Sequence, residues 1–199
     1  MKSLLHKLLA ERILLLDGGL GTMIQALGLK EGDFRGREFL SWKCPLAGCM
    51  DLLCLTAPRK IVAIHRAYLE AGADIITTNS FSANSISLKE YGLEGYARRI
   101  AREAARIARE TADEFGTDGG TIKPRFVAGS MGPTSKTASI AASVEDSAAR
   151  DVTFRELAEA YYDQLCGLAE GGVDLFLLET VFDTLNAKAA IFALERLRR

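Results

Sequence analysis

Two acidic residues, Asp17 and Glu179, each close a short apolar run, ILLLD and DLFLLE. A carboxylate at the end of a buried run has left water, and without a partner its burial costs several kcal/mol. Each therefore wants a cation or a hydrogen-bond donor. A backbone amide or a nearby arginine would meet that need with no function attached. Three functional readings stand beside it. The pair holds a substrate ammonium, grips a divalent metal, or works as acid and base. Residue types alone leave these open, because sequence does not give the separation of two carboxylates in space.

Other polar groups follow the same kind of run. Gly18-Gly19-Leu20-Gly21-Thr22 comes after Asp17, and Thr78-Asn79-Ser80-Phe81 follows DIITT. Ser130-Met131-Gly132-Pro133-Thr134 follows RFVAG, and Thr180 and Asp183 follow Glu179. The glycines do not form a dinucleotide fingerprint, since Ile24 holds the third glycine position, and no GxxxxGK[ST] occurs. They serve a tight turn, or they let a small ligand approach the backbone beside Asp17. Cys44, Cys49 and Cys54 are spaced by five. That spacing suits a partly buried loop as well as a zinc pair, with no CxxC present and only His65 near. Cys166, in LCGLAEGG, reads as a core residue. His6 and His65 lie on charged, helical-looking stretches without a nucleophile context, so neither is a persuasive general base. The run Arg98 to Glu103 reads as a solvated helix face.

The elements that must position these groups alternate. Ile13–Asp17, Asp74–Thr78, Arg125–Gly129 and Asp174–Glu179 read as strands buried on both faces. Helices are expected over Lys60–Ala71, after Pro58 and before Gly72, and over Tyr96–Phe115. A third is expected over Thr153–Glu170, opened by Thr153 and Glu156 as a capping box, and a fourth over Thr184–Arg199. Thr117–Thr121 (TDGGT) reads as a plain loop. Strand then helix, four times, predicts βα units and a parallel sheet, with Glu31–Pro58 as the largest insertion. In a βα barrel the carboxyl ends of the strands converge on one mouth, which is where the polar groups fall.

With 25 Lys plus Arg against 26 Asp plus Glu, the net charge of −1 gives no support to a nucleic-acid or acidic-membrane partner. The apolar runs are too short to span a bilayer. MKSLLHKLLAER lacks the pattern of a secretory signal, and four cysteines without one point to free thiols in a reducing cytoplasm.

LLLDGGLGTMIQ (14–25), DFRG (33–36), AGADIITTNSF (71–81), GPTSKTASI (132–140) and LLETVFDTLNAKAA (177–190) carry a resemblance. In order along essentially the whole chain, they resemble the homocysteine S-methyltransferases, most nearly the homocysteine-binding module of cobalamin-dependent methionine synthases. The resemblance implies the first half, four βα units over residues 1–199, of a (β/α)8 barrel of the TIM type. It implies that Asp17 and Glu179 hold the amino-acid end of homocysteine, that Gly18 lies beside it, and that Thr78, Asn79 and Ser80 line the same mouth. Ser80 departs from a commoner threonine, and Ala141-Ala142 from a Ser-Pro-like continuation.

The resemblance also implies zinc, held by three cysteines at positions beyond the fourth unit, to which Cys44, Cys49, Cys54 and Cys166 do not correspond. It implies methylcobalamin as methyl donor on another module, with folate-binding modules as further partners. The isolated chain is then expected to bind homocysteine without turning it over, and its open sheet edges could lead it to self-associate. A non-catalytic half-barrel binding protein, or an unrelated barrel enzyme using the two carboxylates for metal or acid/base work, are the rival readings.

Overall fold

The computed structural model describes residues 2–118, 121–140 and 150–199. Helices α1 (Lys2–Glu11), α2 (Leu20–Ala26) and α3 (Glu31–Arg35) lead to a 3-10 turn at Met50–Leu52. Next come α4 (Leu53–Thr56), α5 (Pro58–Glu70), strand β1 (Ile75–Thr77) and α6 (Ser85–Leu88). After two further 3-10 turns the chain forms α7 (Ala97–Glu114), β2 (Thr117–Asp118), β3 (Thr121–Ile122) and β4 (Phe126–Met131). Helix α8 (Phe154–Glu170), strand β5 (Leu175–Leu178) and helix α9 (Thr184–Leu197) complete it.

Strands β1, β4 and β5 form one parallel sheet in that order, with Ile75 opposite Phe126 and Ala128 opposite Leu175. Each new strand is laid beside the previous one, without the reversal of a doubly wound sheet. This is the winding of a (β/α) barrel followed part of the way round, as expected. The four long helices stand within two residues of their expected limits. Thr153 and Glu156 form both bonds of the capping box that opens α8.

Three expectations are corrected. Residues 13–17 are not a buried strand. Only Leu16 makes a parallel bridge, to Ile75, and Ile13 is 85% exposed. Strand β5 is half-buried along its length. Both lie at the rims of the sheet, where no further strand covers them among the described residues. Thr117–Asp118 and Thr121–Ile122, expected as loop, pair as two short antiparallel strands, with Thr117 opposite Ile122. The departure at Ala141-Ala142 lies outside the described residues.

A motif repeats at the amino ends of the strands. Gly72 and Gly172 both adopt left-handed backbone, at φ 106° and 89°, just past α5 and α8. Two residues on, Asp74 and Asp174 turn back to clip the neighbouring segment. Asp74 accepts from Leu15 N–H at 3.0 Å and from Arg12 through two 2.8 Å bonds. Asp174 accepts from Val127 N–H at 2.8 Å and from Arg109 at 2.7 Å. The Arg12 guanidinium holds the Asp74 carboxyl below its ordinary range.

The core is made by helices pressed closely together. Helix α7 buries Ala97, Ala101, Ala104, Ala105 and Ala108 at helical spacing. Gly167 and Gly171 of the α8 segment oppose them. A methyl group on Gly167 would stand 2.4 Å from the Arg98 carbonyl oxygen, and one on Gly171 2.4 Å from the Ala105 methyl. The outer face of α7 carries Arg98, Arg99 and Arg106, paired with Glu170, Glu38 and Glu110. That is the solvated face expected of this run.

Candidate functional site

Asp17 is placed by β1. Its N–H donates to the Ile75 carbonyl at 2.9 Å, and its carboxylate accepts from the Thr77 N–H at 2.8 Å and the Thr77 hydroxyl at 3.0 Å. Burial pushes its pKa up to about 6. The Thr77 bonds oppose that rise and the charge of Glu179 adds to it. Glu179 is placed by β4. Its N–H donates to the Met131 carbonyl at 3.1 Å, and its Oε1 accepts from the Ser130 hydroxyl at 2.7 Å. The next residue, Thr180, has φ 56°. For a β-branched residue this is a strained conformation of the kind that functional sites retain.

Asp17 and Glu179, from opposite ends of the sequence, line one cavity of about 740 Å³ at the carboxyl ends of the strands. Gly18, Thr78, Asn79 and Ser130 line it with them, and so do Asp51, Glu90 and Tyr91. Four carboxylates therefore face the space, and no Lys, Arg or His does among the described residues. A concave wall of one sign concentrates ions of the other, so this lining favours a guest with a positive charge.

The remaining expected residues divide. Asn79 lines the cavity, but its amide donates to the Met50 carbonyl at 2.8 Å, tying the end of β1 to the insertion. A Cβ on Gly18 would lie 3.1 Å from the Tyr68 hydroxyl, so that glycine makes room for Tyr68 as well as bordering the cavity. Ser80 is the correction. It is wholly buried beneath the wall and does not line the cavity. Its neighbours Thr78 and Ser130 fill the surface above it. Asp183 caps α9 through the Leu185 N–H and also holds Ser139, which uses its carboxylate in the framework.

Asp51 was not among the expected site residues. It is buried, accepts from the Ser82 N–H at 3.0 Å, and is pushed up to about 6 by burial. The signal for it was the one that singled out Asp17, an acid within an apolar stretch, MDLLCL. His65 lies in the expected helix, fully buried in the core with neither ring nitrogen partnered.

A model of the family described as Homocysteine S-methyltransferase matches residues 14–198. The chain belongs to the homocysteine S-methyltransferase family. Its fold is also that of the homocysteine methyltransferase MmuM from Escherichia coli. The metallated form superposes with a TM-score of 0.73 at 22% identity, over 98% of this chain and 63% of that one. The oxidized form gives 0.74 at 21%, over 98% and 62%. The apo form gives 0.67 at 21%, over 96% and 59%. At these identities the likeness is one of fold. The chain spans 59–63% of the length of the MmuM chains it matches.

The cysteines of this sequence do not gather as the zinc expected of the family would need. Burial, with the Asp51 charge adding, pushes the Cys49 thiol up to about 12, and burial pushes Cys54 up as well. As free thiols both keep their protons at neutral pH. Cys44 stands apart, with its sulfur near Gly92. Among the described residues no three His, Cys, Asp or Glu side chains gather to hold a metal ion. No described helix is long and apolar enough to cross a membrane.

Proposed function

We propose that this chain holds homocysteine for transfer of a methyl group to its sulfur, giving methionine, and that residues 1–199 act as one half-barrel. The supporting observation is that Asp17 and Glu179 face one cavity whose described lining has no basic side chain. An α-ammonium set between the two carboxylates gains charge-assisted hydrogen bonds on both sides. Of the three readings left open by the residues, the match to the homocysteine S-methyltransferase family favours the ammonium clasp. Gly18 and Thr78 border the amino-acid end, and the sulfur is left toward the mouth.

Activation of that sulfur is a separate task. A thiol of ordinary pKa is only about 3% ionised at pH 7, and the thiolate is the nucleophile. The zinc of the family would supply the ionised form from cysteines that do not correspond to any in this sequence. The chain by itself is thus expected to bind without turnover. The likeness to methionine synthase favours methylcobalamin on another module as donor, recharged from a folate module. The carboxylate-lined wall favours a second reading, a small donor that itself carries a positive charge. Self-association through the rims at Leu16 and β5 belongs to the same proposal.

Calorimetry tests the central claim. Homocysteine should bind, and the same carbon chain without its amine should bind at least tenfold more weakly. Asp17→Asn and Glu179→Gln should each weaken homocysteine by about 10- to 100-fold, the worth of a hydrogen bond to a charged group. Equal binding with and without the amine would overturn the proposal.

A further inference from the structure

Below the cavity wall, β1 and β4 stop pairing as a ladder and hydroxyl groups take over. The Thr78 N–H still donates to the Ala128 carbonyl at 3.0 Å. Two residues further along β4, the Ser130 N–H donates to the Thr78 hydroxyl at 2.9 Å instead of to a strand carbonyl. The Ser80 hydroxyl donates to the Ser130 carbonyl at 2.8 Å. Its one proton is then used, so in the 2.6 Å contact between the Thr78 and Ser80 hydroxyls Thr78 is the donor. The bonds close a directed ring, from Ser130 N–H to Thr78 to Ser80 and back to the Ser130 carbonyl. From α8, the Gln164 amide grips the Ser80 carbonyl at 2.6 Å and reaches the Ser130 carbonyl at 3.4 Å. All four residues are buried, so the ring is shielded from solvent and each of its bonds is strengthened.

Both backbone groups of Ser130 are held by this ring, which leaves its side chain one freedom, rotation about its own first bond. Its hydroxyl is the group that donates to Glu179. We propose that Ser80, which does not line the cavity, is a positioning residue that acts through Ser130 to aim the Glu179 carboxylate at the guest. The inference rests on the reading of Glu179 as a ligand for an ammonium and adds a residue the cavity wall hides. The ring also explains how the strands part to open the cavity without leaving the Ser130 N–H unsatisfied.

The test is a double-mutant cycle on homocysteine binding, together with ligand-free crystal structures. Ser80→Ala should weaken homocysteine about tenfold, and Ser80→Thr, which keeps the hydroxyl, should restore it. In a Glu179→Gln background Ser80→Ala should cost nothing further, because the group it aims is gone. Full additivity of the two losses would make Ser80 merely structural and overturn the inference. So would wild-type affinity in Ser80→Ala. If Ser80→Ala fails to fold, Ser80→Cys, a far weaker donor of the same shape, takes its place. Should the wild type bind no homocysteine, the reading of the site fails, and the crystal structures decide the positioning by themselves. A Glu179 carboxylate displaced from the Ser130 hydroxyl in Ser80→Ala supports it, and an unchanged contact overturns it.

Discussion

Asp17 illustrates what a buried carboxylate costs the protein that carries it. Its carboxyl is pushed up from the ordinary 3.8 to about 6, so the folded chain holds that proton more tightly than the unfolded chain does. A raised folded pKa contributes stability that is present below 3.8 and lost as the pH rises to 6. Asp17→Asn should therefore raise the stability of the ligand-free chain at pH 7 by about 1 kcal/mol, discounted because the group is partly solvated. Denaturant melts at pH 7 and pH 4 check this, with the gain confined to the higher pH. Homocysteine binding should follow the opposite slope. It should weaken as the pH falls through about 6 and Asp17 takes up its proton, and calorimetry should show that dependence flattened in Asp17→Asn. His65 works with the other sign. Burial takes it from 6.5 down to about 4, so the unfolded chain binds the proton more readily and stability is lost as the pH falls from 6.5 toward 4. Both ring nitrogens are also unpartnered. His65→Leu, close in volume, should raise the melting temperature, with roughly 2 kcal/mol more gain at pH 5 than at pH 7.5.

At the scale of the element, the close contact of α7 with α8 carries the most specific expectation. A methyl group at Gly167 meets backbone, the Arg98 carbonyl oxygen at 2.4 Å, and cannot be relieved by a side-chain rotation. Gly167→Ala should cost about 2–4 kcal/mol, since the two helices must separate. Gly32→Ala, in α3 with nothing within 4 Å of the new methyl, should be neutral or stabilise by about 0.5–1 kcal/mol. Thermal melts of the two variants side by side make the comparison. The elements also show which signals were readable. Pro58, Gly72, Thr153 with Glu156, and Gly172 are cues within a few residues of the boundaries they mark, and those boundaries stand where expected. The first strand misled because ILLLD is apolar enough to be buried, yet burial depends on a neighbour that apolarity does not create.

At the scale of the whole molecule, the sheet has two rims. Ile13, Leu15 and Leu16 are largely exposed along one, and β5 is only half-buried along the other. Exposed parallel edges with apolar side chains favour strand-to-strand association. Sedimentation equilibrium of the purified chain should show species larger than a monomer, and a single monomeric species across micromolar concentrations would remove that part of the proposal. The carboxylate-lined cavity is itself a whole-molecule property. Asp17 and Glu179 are 162 residues apart (179−17) and meet only because parallel strands present all their carboxyl ends on one side.

What the sequence determined is what is local or periodic. Apolar runs, helix caps and acids at the ends of runs declare strands, helices and a polar rim, because each depends on neighbours within a turn or two. Tertiary structure alone decided which groups meet. Ser80 sits behind the wall, Tyr68 fills the space left open by Gly18, His65 is in the core, and Asp51 joins the cavity. These are facts about residues brought together by packing, and a side chain's solvation and partners are set by what surrounds it in space, whatever lies beside it in the chain.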